Sequence, residues 1–374
     1  MESLVTPFMS FSNTYRGKRV LVTGHTGFKG AWLCEWLLSL GANVSGFALQ
    51  PPTKPALFDQ LQLSDRINDS RGDIRDAAAI AERVRCVQPE FIFHLAAQPL
   101  VRLSYDKPVE TYSTNVMGTV HLLEAARQLS DRCTIIGVTT DKCYENREWV
   151  HSYREEDPMG GHDPYSSSKG AAELIIAAYR RSYFSSPNSR IRLASARAGN
   201  VIGGGDWALD RIVPDCIRAL SKNESIVVRN RVATRPWQHV LEPLSGYLWL
   251  GAQLSKGETP PPALASGFNF GPSLSSNRSV ADLVQEIIKH WPGPVDYDVT
   301  TNAVHEAKLL SLAIDKSQHY LNWSPVWGFE RTIAETTAWY LQNKQSSQQG
   351  AAAAVAQIAA YTSDAGALGL PWSL

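Results

Sequence analysis

The stretch Val20-Leu21-Val22-Thr23-Gly24-His25-Thr26-Gly27-Phe28-Lys29-Gly30 changes character within a few residues. A valine-rich apolar run, typical of a buried parallel strand, ends in three glycines spaced three apart, and residues 31–38 then form an apolar segment of helical character. Strand, glycine turn and helix in this order predict a site for the pyrophosphate of a dinucleotide, because glycines allow close backbone approach and a helix N-terminus offers unpaired N–H groups. A glycine turn without a ligand is the less favoured interpretation.

The overall composition excludes several classes of protein. The chain has 374 residues, enough for a large core and two lobes. Lysine and arginine together number 36, as do aspartate and glutamate, so the formal net charge is zero and we expect no nucleic-acid partner.

The cysteines and the N-terminus indicate a cellular location. Five cysteines are dispersed without a CxxC pair, at positions 34, 86, 133, 143 and 216. Residues 1–16 lack the apolar core of a secretory signal, and no run approaches the ~20 apolar residues that span a bilayer. We therefore expect reduced thiols, a cytoplasmic protein and no membrane association.

Strand-like and helical segments alternate through the first half of the chain, which is typical of βαβ units. The predicted strands are 43–49, 91–95, 134–139 and 191–196, and the predicted helices are 109–128 and 164–183. We predict an α/β protein with a Rossmann-type doubly wound parallel sheet and a smaller mixed α/β C-terminal substrate-binding domain. Residues that follow the strands, at 96–99, 139–142 and 197–200, would then lie on one edge of the sheet beside the glycine turn.

The predicted domain division has four parts. Residues 1–16 are an N-terminal extension, 17–198 the dinucleotide-binding domain, 199–343 the substrate domain, and 344–374 a low-complexity linker and tail. Residues 241–254 are apolar enough to form a helix that packs back on the first domain. The alanine-rich tail has a composition that suits either a helix or disorder.

Tyr165 and Lys169 are four residues apart on a helix that begins with Asp163 as N-cap and Pro164 at its first position. Both side chains project from one face, and an ammonium beside a phenol lowers the phenol's pKa towards a value useful for a base. A solvated helix face is the alternative, and for the pair alone it would be favoured. The preceding strand and the polar residues after it shift the balance towards catalysis.

Those polar residues are Thr140, Asp141 and Lys142, at the end of a mostly apolar strand. An ion pair within a loop is one explanation of the charges. The other is a hydroxyl, a carboxyl acid and a candidate base placed where the sheet opens onto the dinucleotide. No spacing of histidine, cysteine and carboxylate residues predicts a metal site.

Several motifs together carry a family resemblance. They are GHTGFKG (24–30), AQPLVR (97–102), TNVMGT (114–119), TDKCY (140–144), DPY (163–165) with Lys169, GNVIGGGDW (199–207) and RPWQHVLEP (235–243). In combination they resemble the CDP-glucose 4,6-dehydratases, a nucleotide-sugar branch of the extended short-chain dehydrogenases/reductases, over about residues 17–339. Most related dehydratases carry Asp-Glu where this chain has Asp141-Lys142.

The resemblance implies a hydride cycle on NAD that converts CDP-glucose to CDP-4-keto-6-deoxyglucose and water. Tyr165 would take the C4 hydroxyl proton, Lys169 would hold the nicotinamide ribose, and Thr140 would hydrogen-bond O4. Asp141 suits the acid at O6 and Lys142 the base at C5, the latter only if part of it is neutral.

The resemblance also implies two sets of binding residues. Those expected at the cofactor are Gly24, Thr26, Gly27, Phe28, Lys29, Gly30, Gln50, Asp73, Ile74, Ala96, Ala97, Gln98 and Asn115, with Tyr165 and Lys169. Those expected at the substrate are Arg102, Ser104, Asn200, Arg211, Arg235, His239 and Glu306. For the arginines, surface charge or an ion pair between lobes is an equal alternative, and a lone histidine such as His239 or His305 is more often packed.

Gln50 stands where an acid usually binds the adenosine ribose, about 20 residues beyond the glycines. Glutamine can still bind hydroxyls, and no arginine follows Gln50 to receive a 2′-phosphate, so NAD is favoured over NADP.

The alternatives are an epimerase or dehydratase of another nucleotide sugar, or, from a different class, a non-catalytic NAD-binding regulator. Asp141 and Lys142 favour dehydration, and the presence of all of the catalytic residues argues against a regulator. The resemblance further implies a homo-oligomer, a dimer or tetramer.

Overall fold

A computed structural model describes residues 10–228, 230–259, 261–297 and 309–374. The strands are β1 (Arg19–Thr23), β2 (Asn43–Phe47), β3 (Phe91–His94), β4 (Cys133–Val138), β5 (Ile191–Arg197), β6 (Val201–Ile202), β7 (Ile226–Val227), β8 (Thr234–Pro236), β9 (Gln238–His239), β10 (Gly267–Asn269), β11 (Asn277–Ser279) and β12 (Val295–Asp296). The helices are α1 (Phe28–Ser39), α2 (Leu57–Gln60), α3 (Ala77–Val87), α4 (Val101–Asp106), α5 (Pro108–Tyr112), α6 (Gly118–Arg127), α7 (Pro164–Ser182), α8 (Ile212–Ser221), α9 (Leu241–Ser255), α10 (Val280–His290), α11 (Asp315–Leu321), α12 (Phe329–Gln345) and α13 (Ser347–Ala367).

Six strands form the central sheet in the order β2-β1-β3-β4-β5-β10, and every pair in it is parallel. The chain order reverses between β1 and β3, where Val22 lies opposite Phe93. Ligands of doubly wound sheets bind beyond the carboxyl ends of the strands at such a reversal. The predicted α/β class and Rossmann-type parallel sheet are confirmed.

Alternate residues of each strand feed two apolar cores. Val20 and Val22 of β1 pack with α1, α9, α12 and α13, whereas Leu21 packs with α3, α6 and α7 on the opposite face. Burial of each such side chain contributes about 1.5–3 kcal/mol, so the alternation holds a helical layer on both faces of the sheet.

Elements from the second half of the chain complete the first lobe. β10 pairs with β5 although it lies far beyond residue 198, and α9 packs on β4 and β5. The rest of the second half builds a smaller mixed region in which β7 pairs with β12 and β8 with β11. The two lobes share elements, and the division at residue 198 stays a prediction.

The predicted single helix 109–128 is interrupted. Between α5 and α6 the backbone makes a π-helical turn, Ser113–Met117, and the side chain of Asn115 within it is buried. Such turns arise where a side chain must point in a direction that a regular helix does not offer.

The C-terminal residues are helical and packed. α12 and α13 are separated only by Ser346, whose hydroxyl accepts a hydrogen bond from the Gln349 N–H. Trp372 is fully buried and stacks on Phe11 from the N-terminal segment, with ring centroids 5.2 Å apart. Among the described helices, none combines the length and the apolar character that crossing a membrane requires.

Candidate active site

The segment after β4 carries the predicted acid and hydroxyl. Thr140 caps a single 3-10 turn, Asp141–Cys143, and its hydroxyl donates to Oδ1 of Asp141 at 2.9 Å. Thr140 and Asp141 are buried, whereas Lys142 is half-buried. The end of the strand therefore places a hydrogen-bonded hydroxyl and carboxyl at the edge of the sheet, as the sequence predicted.

Tyr165 lies beside this segment on the first turn of α7. Asp163 caps the helix by accepting from the Ser166 N–H at 2.9 Å, and Pro164 occupies the first position. The Tyr165 side chain is buried beside the Thr140 hydroxyl, which acts to lower the tyrosine's pKa. Tyr165 thus adjoins the hydrogen-bonded pair Thr140 and Asp141.

The pKa of Tyr165 differs from the sequence-based expectation. Burial raises it to about 12, against the lowering influence of the Thr140 hydroxyl and of the charge of Arg211. The predicted lowering of the Tyr165 pKa by Lys169 is not found, because the cost of removing a phenolate from water outweighs the effect of the positive charge around it.

Three cations, Lys29, Lys169 and Arg211, lie near these polar groups. Lys169, one turn after Tyr165, donates from Nζ to the Val138 carbonyl at 3.3 Å, and burial lowers its pKa to about 8 while Glu173 opposes that shift. Lys29, from the first turn of α1, also has its pKa lowered to about 8, by burial and by the charges of Arg211 and Lys169. Cationic groups in this position suit a substrate that carries a diphosphate.

The second half of the chain completes the surroundings of Asp141. Asn200 has the left-handed backbone conformation, with φ of 50°, and its Nδ2 lies 3.3 Å from Oδ2 of Asp141. A β-carbon on Gly199 would stand 1.9 Å from that same oxygen. Only glycine fits there, so Gly199 is a site residue whose role the sequence did not reveal.

The glycine turn has the geometry of a dinucleotide cradle. Gly24 has φ of 75°, and a β-carbon on it would stand 2.7 Å from the Ala96 nitrogen. A β-carbon on Gly30 would meet the Gly24 carbonyl oxygen at 2.2 Å. Gly27 is the N-cap of α1 and makes no side-chain hydrogen bond, so the start of this helix keeps its N–H groups for a ligand.

The loop after β3 forms the neighbouring wall, with Ala96, Ala97 and Gln98. The Gln98 N–H donates to Oδ1 of Asn115 at 2.8 Å, and Nδ2 of Asn115 donates to the Gln98 carbonyl and to Ser168 Oγ. Asn115 therefore uses both ends of its amide inside the protein. It positions the loop, and direct binding of the cofactor by Asn115 stays a prediction.

The adenosine end of the cradle contains an arginine that the sequence analysis missed. Gln50 is exposed after β2, and Nη1 of Arg71 lies 3.3 Å from the adjacent Leu49 carbonyl oxygen. Arg71 is paired with Asp69 at 2.9 Å and stacks over Phe58. No arginine follows Gln50 directly in the chain, but a short β-bridge between Ala48 and Arg71 brings this arginine close to Gln50.

The remaining predicted cofactor residues have contacts within the protein. The Thr26 hydroxyl donates to the Leu49 carbonyl at 3.0 Å, and the Phe28 ring approaches Gly203 from the second lobe. Asp73 is paired with Arg75, and Ile74 beside it is buried.

The three arginines predicted to bind substrate all have partners within the protein. Arg102 is paired with Asp210 at 3.1 Å, Arg211 with Asp206 at 2.8 Å, and Arg235 is half-buried and donates to the Thr234 carbonyl. Glu306, like His305, lies outside the described residues.

Two of the substrate predictions are wrong. Ser104 is fully buried, and its hydroxyl accepts from the Tyr165 N–H at 3.1 Å, so it supports the catalytic helix. His239 is also fully buried, between the rings of Trp32 and Trp327, and burial lowers its pKa to about 3. An imidazole in that position is a neutral core residue.

Comparison with known proteins places these features in context. A family profile described as GDP-mannose 4,6 dehydratase matches residues 21–336. The CDP-glucose 4,6-dehydratase of Salmonella typhimurium is 48% identical over 332 residues, which are 88% of this chain and 92% of that protein. A dTDP-glucose 4,6-dehydratase of Mycolicibacterium smegmatis is 28% identical over 87% of this chain and 94% of its own length.

Solved structures share the fold. A dTDP-glucose 4,6-dehydratase from Streptomyces venezuelae, determined with NAD and TYD bound, has a TM-score of 0.72 at 24% identity over 87% of this chain and 98% of that one. The dTDP-glucose 4,6-dehydratase of Bacillus anthracis in complex with NAD has a TM-score of 0.71 at 21% identity over 87% and 97%. At this identity the likeness establishes a common architecture.

Proposed function

Since the chain belongs to the GDP-mannose 4,6-dehydratase family, we propose that it is an NAD-dependent lyase that converts CDP-glucose to CDP-4-keto-6-deoxyglucose and water. The observation that carries the proposal is the buried cluster of Tyr165, Thr140 and Asp141, in which the Thr140 hydroxyl lies beside the phenol and donates to the carboxyl. Oxidation at C4 needs the phenol, and water loss from C5 and C6 needs the carboxyl. The 48% identity to a CDP-glucose 4,6-dehydratase supports the choice of nucleotide.

The cofactor proposal rests on the cradle. The tight turn, in which the backbone packs too closely for any side chain at Gly24 and Gly30, together with the N-terminus of α1 fits a dinucleotide diphosphate. Lys169 would hold the nicotinamide ribose and Gln50 the adenosine ribose. Bound NAD supplies a hydride acceptor for C4 and then a hydride donor for C6, so that the cycle has no net redox change.

Tyr165 serves as the base at the C4 hydroxyl in this proposal. Its high pKa in the protein means that the phenolate depends on positive charge near it, to which the protein contributes Arg211. Thr140 would hydrogen-bond O4 and keep the phenol aligned.

The elimination step uses Asp141 and Lys142. The new C4 ketone acidifies the C5 proton, which the unprotonated form of Lys142 would accept, while the C6–O bond breaks and O6 takes a proton from Asp141 to leave as water. Asn200 and Thr140 hold the two oxygens of that carboxyl. After hydride return to C6, the Lys142 ammonium would give the proton back to C5. The proton that Tyr165 took from the C4 hydroxyl would return to Asp141, which restores both groups.

Substrate binding is proposed for Arg102, Arg211 and Arg235, whose guanidinium groups match the geometry of phosphate oxygens. Arg211 is close enough to Tyr165 and Lys29 for its charge to lower the pKa of both. Its carboxylate partner Asp206 orients it from the second lobe.

The experiment offers the purified protein CDP-, UDP-, GDP- and dTDP-glucose without added reductant and follows the products by mass spectrometry. We expect loss of one water from the CDP sugar. No water loss from any of the four sugars would refute the dehydratase, and loss from a different one would support the alternative of another nucleotide sugar.

The Asp141→Asn variant tests the mechanism, with Asp131→Asn in an exposed loop as the control. Because the amide has no proton to give O6, we expect water loss to slow by about 10²- to 10⁴-fold with C4 oxidation nearly unchanged. Equal slowing of both steps would mean that Asp141 is not the acid at O6.

We also propose that the enzyme is a cytoplasmic homo-oligomer, a dimer or tetramer. All five cysteines are free, as is usual in a reducing compartment. Large apolar side chains are exposed on the helices that follow β3 and on α7, including Val109, Met117 and Leu174. Light scattering of the protein beside its Val109→Asp variant tests whether this face joins two copies.

A further inference from the structure

A buried ion pair beneath the catalytic residues has no part in the mechanism above. Glu173 of α7 and Arg197 at the end of β5 are 4% and 5% exposed, and Nη2 of Arg197 lies 2.9 Å from Oε2 of Glu173. Glu173 lies one turn beyond Lys169 and two beyond Tyr165, so the three share one face of α7.

Each partner of the pair also binds one end of the catalytic segment. Glu173 accepts a hydrogen bond from the hydroxyl of Thr139, the residue before Thr140, and another from Ser195 at 2.8 Å. Arg197 donates from Nη1 to the hydroxyl of Tyr144, two residues after Lys142, at 2.6 Å. The segment that holds Thr140, Asp141 and Lys142 is thus attached to the ion pair on both sides.

Tyr144 extends the connection to β10. Its hydroxyl donates to Oδ1 of Asn269 at 2.7 Å, and its ring stacks on Tyr153 with centroids 5.3 Å apart. The hydroxyl is therefore held between Arg197 and Asn269, and its removal would detach the segment from the pair without emptying the ring's position.

Both members of the pair are charged. Burial acts to raise the pKa of Glu173, but the charge of Arg197 and the hydrogen bonds from Arg197, Thr139 and Ser195 outweigh it, so the pKa lies below its ordinary value. A buried ion pair gains little stability over apolar residues of the same volume, and its best-attested use is to specify one arrangement of the groups around it. Here the groups around it are the catalytic ones.

We propose that Glu173, Arg197 and Tyr144 are positioning residues that clamp the segment Thr140–Lys142 against α7 and so hold the acid and the C5 base in register with Tyr165. The inference rests on the proposed function. Because Tyr144 anchors the side of the segment that carries Asp141 and Lys142, the clamp acts chiefly on the elimination step.

The test compares Tyr144→Phe with Tyr153→Phe. The control removes a hydroxyl from the same aromatic stack, but that hydroxyl bonds Asn146 and the Arg147 N–H rather than the ion pair. Single-turnover reactions of the enzyme loaded with NAD measure reduced nicotinamide by absorbance and water loss by mass spectrometry.

We expect Tyr144→Phe to slow water loss by about 10- to 100-fold, since small misplacements of catalytic groups cost that much. The KM for CDP-glucose and the rate of C4 oxidation should stay within about threefold, so that reduced nicotinamide accumulates. Amide hydrogen exchange of the peptide that covers residues 139–146 should quicken while the unfolding temperature changes little. Tyr153→Phe should leave the ratio of the two steps unchanged.

Two further variants separate charge from shape. Glu173→Gln keeps the size and the acceptor for Thr139 but removes the charge, and Arg197→Lys keeps the charge but has a single nitrogen that reaches only one of Glu173 and Tyr144. Both should repeat the selective loss of elimination.

The proposal is overturned if Tyr144→Phe and Glu173→Gln leave the ratio of water loss to C4 oxidation within about twofold of the wild type. It is also overturned if Tyr153→Phe changes that ratio as much as Tyr144→Phe. A failure of the proposed function looks different, because the wild type itself would then release no water from CDP-glucose.

Discussion

Two regions of this molecule bury their side chains for opposite purposes. At the catalytic rim, Asp141, Lys169, Glu173 and Arg197 are charged or polar residues removed from water. On the outer face of α1, the rings of Phe11, Trp36, Tyr361 and Trp372 pack together, and we call these residues the terminal strap.

Burial of side chains lowers stability at the catalytic rim and raises it in the terminal strap. Burying charge costs free energy that pairing only partly offsets, so the rim secures orientation at the expense of stability. Each ring of the terminal strap instead removes a large apolar area from water and adds favourable edge or stacked contacts. Because α1 starts at the glycine turn and carries Trp36 in the strap, stability supplied on its outer face also supports the rim.

The largest expected effect belongs to the rim. Replacing Tyr165 with Phe removes the base at the C4 hydroxyl, and we expect kcat to fall by about 10²- to 10⁴-fold with little change in the unfolding temperature. Tyr112→Phe, which removes an exposed hydroxyl bonded to Ser167 of the same helix, is the matched control. If Tyr165→Phe lost stability as well as activity, the contrast between the two regions would be contradicted.

The strap should respond in the opposite way. Trp372→Ala removes a fully buried ring, and we expect the free energy of unfolding to fall by about 3–5 kcal/mol while kcat at low temperature stays near the wild-type value. Leu374→Ala, at an exposed position of the same tail, should change little. Denaturant unfolding of the three proteins measures the difference, and a loss of kcat in folded Trp372→Ala would contradict it.

The terminal strap contacts a buried acid, Glu242, which makes the stability of this region depend on pH. Glu242 accepts from the Tyr361 hydroxyl at 2.7 Å and from the N–H groups of Val326 and Trp327, and burial raises its pKa from 4.5 to about 7. Since the folded state prefers the protonated acid, this stabilisation is fully present below pH 4.5 and is lost as the pH rises through 7.

As the pH rises from about 5 to 8, we therefore expect the free energy of unfolding to fall less for Glu242→Gln than for the wild type. The difference between the two proteins should reach up to about 3 kcal/mol. Thermal unfolding at several pH values checks this, with the exposed Glu330→Gln as control. Parallel curves for wild type and Glu242→Gln would show that Glu242 does not titrate in this range.

The smallest expected effect concerns the adenosine end of the cradle. A carboxylate in place of Gln50 would bind both ribose hydroxyls and repel a 2′-phosphate, so Gln50→Asp should shift the ratio of NAD to NADP affinity by roughly fivefold towards NAD. Arg71 is already paired with Asp69, which limits its attraction for a phosphate. Titration of both dinucleotides measures the shift, with Gln128→Asp as a distant exposed control, and a shift towards NADP would contradict the assignment.

Local patterns predicted the rim well and the strap poorly. The order of strand, glycine turn and helix, the capped start of α7 and the spacing of Tyr165 from Lys169 are all set by neighbours in the chain, and the structure reproduces them. The tail could not be interpreted in the same way, because alanine-rich sequence suits a helix but shows no partner surface. Its tryptophan finds that partner in Phe11, at the other end of the chain.

The errors at the site have the same origin. His239 and Ser104 have side chains that suit substrate binding, yet the tertiary structure buries one among tryptophans and gives the other to the backbone of Tyr165. Arg71 was missed because its position beside Leu49 depends on a bridge between distant segments.

The sequence by itself determined the parallel α/β sheet, the dinucleotide turn and the catalytic segment, since each depends on residues a few positions apart and on the periodicity of burial. Only the tertiary structure decided which oxygen Asn200 reaches, that Gly199 must lack a β-carbon, and that Glu173 and Arg197 hold the two ends of the catalytic segment. Those relations join strands and helices far apart in the chain, and the free energy that selects them comes from burying the joined groups together.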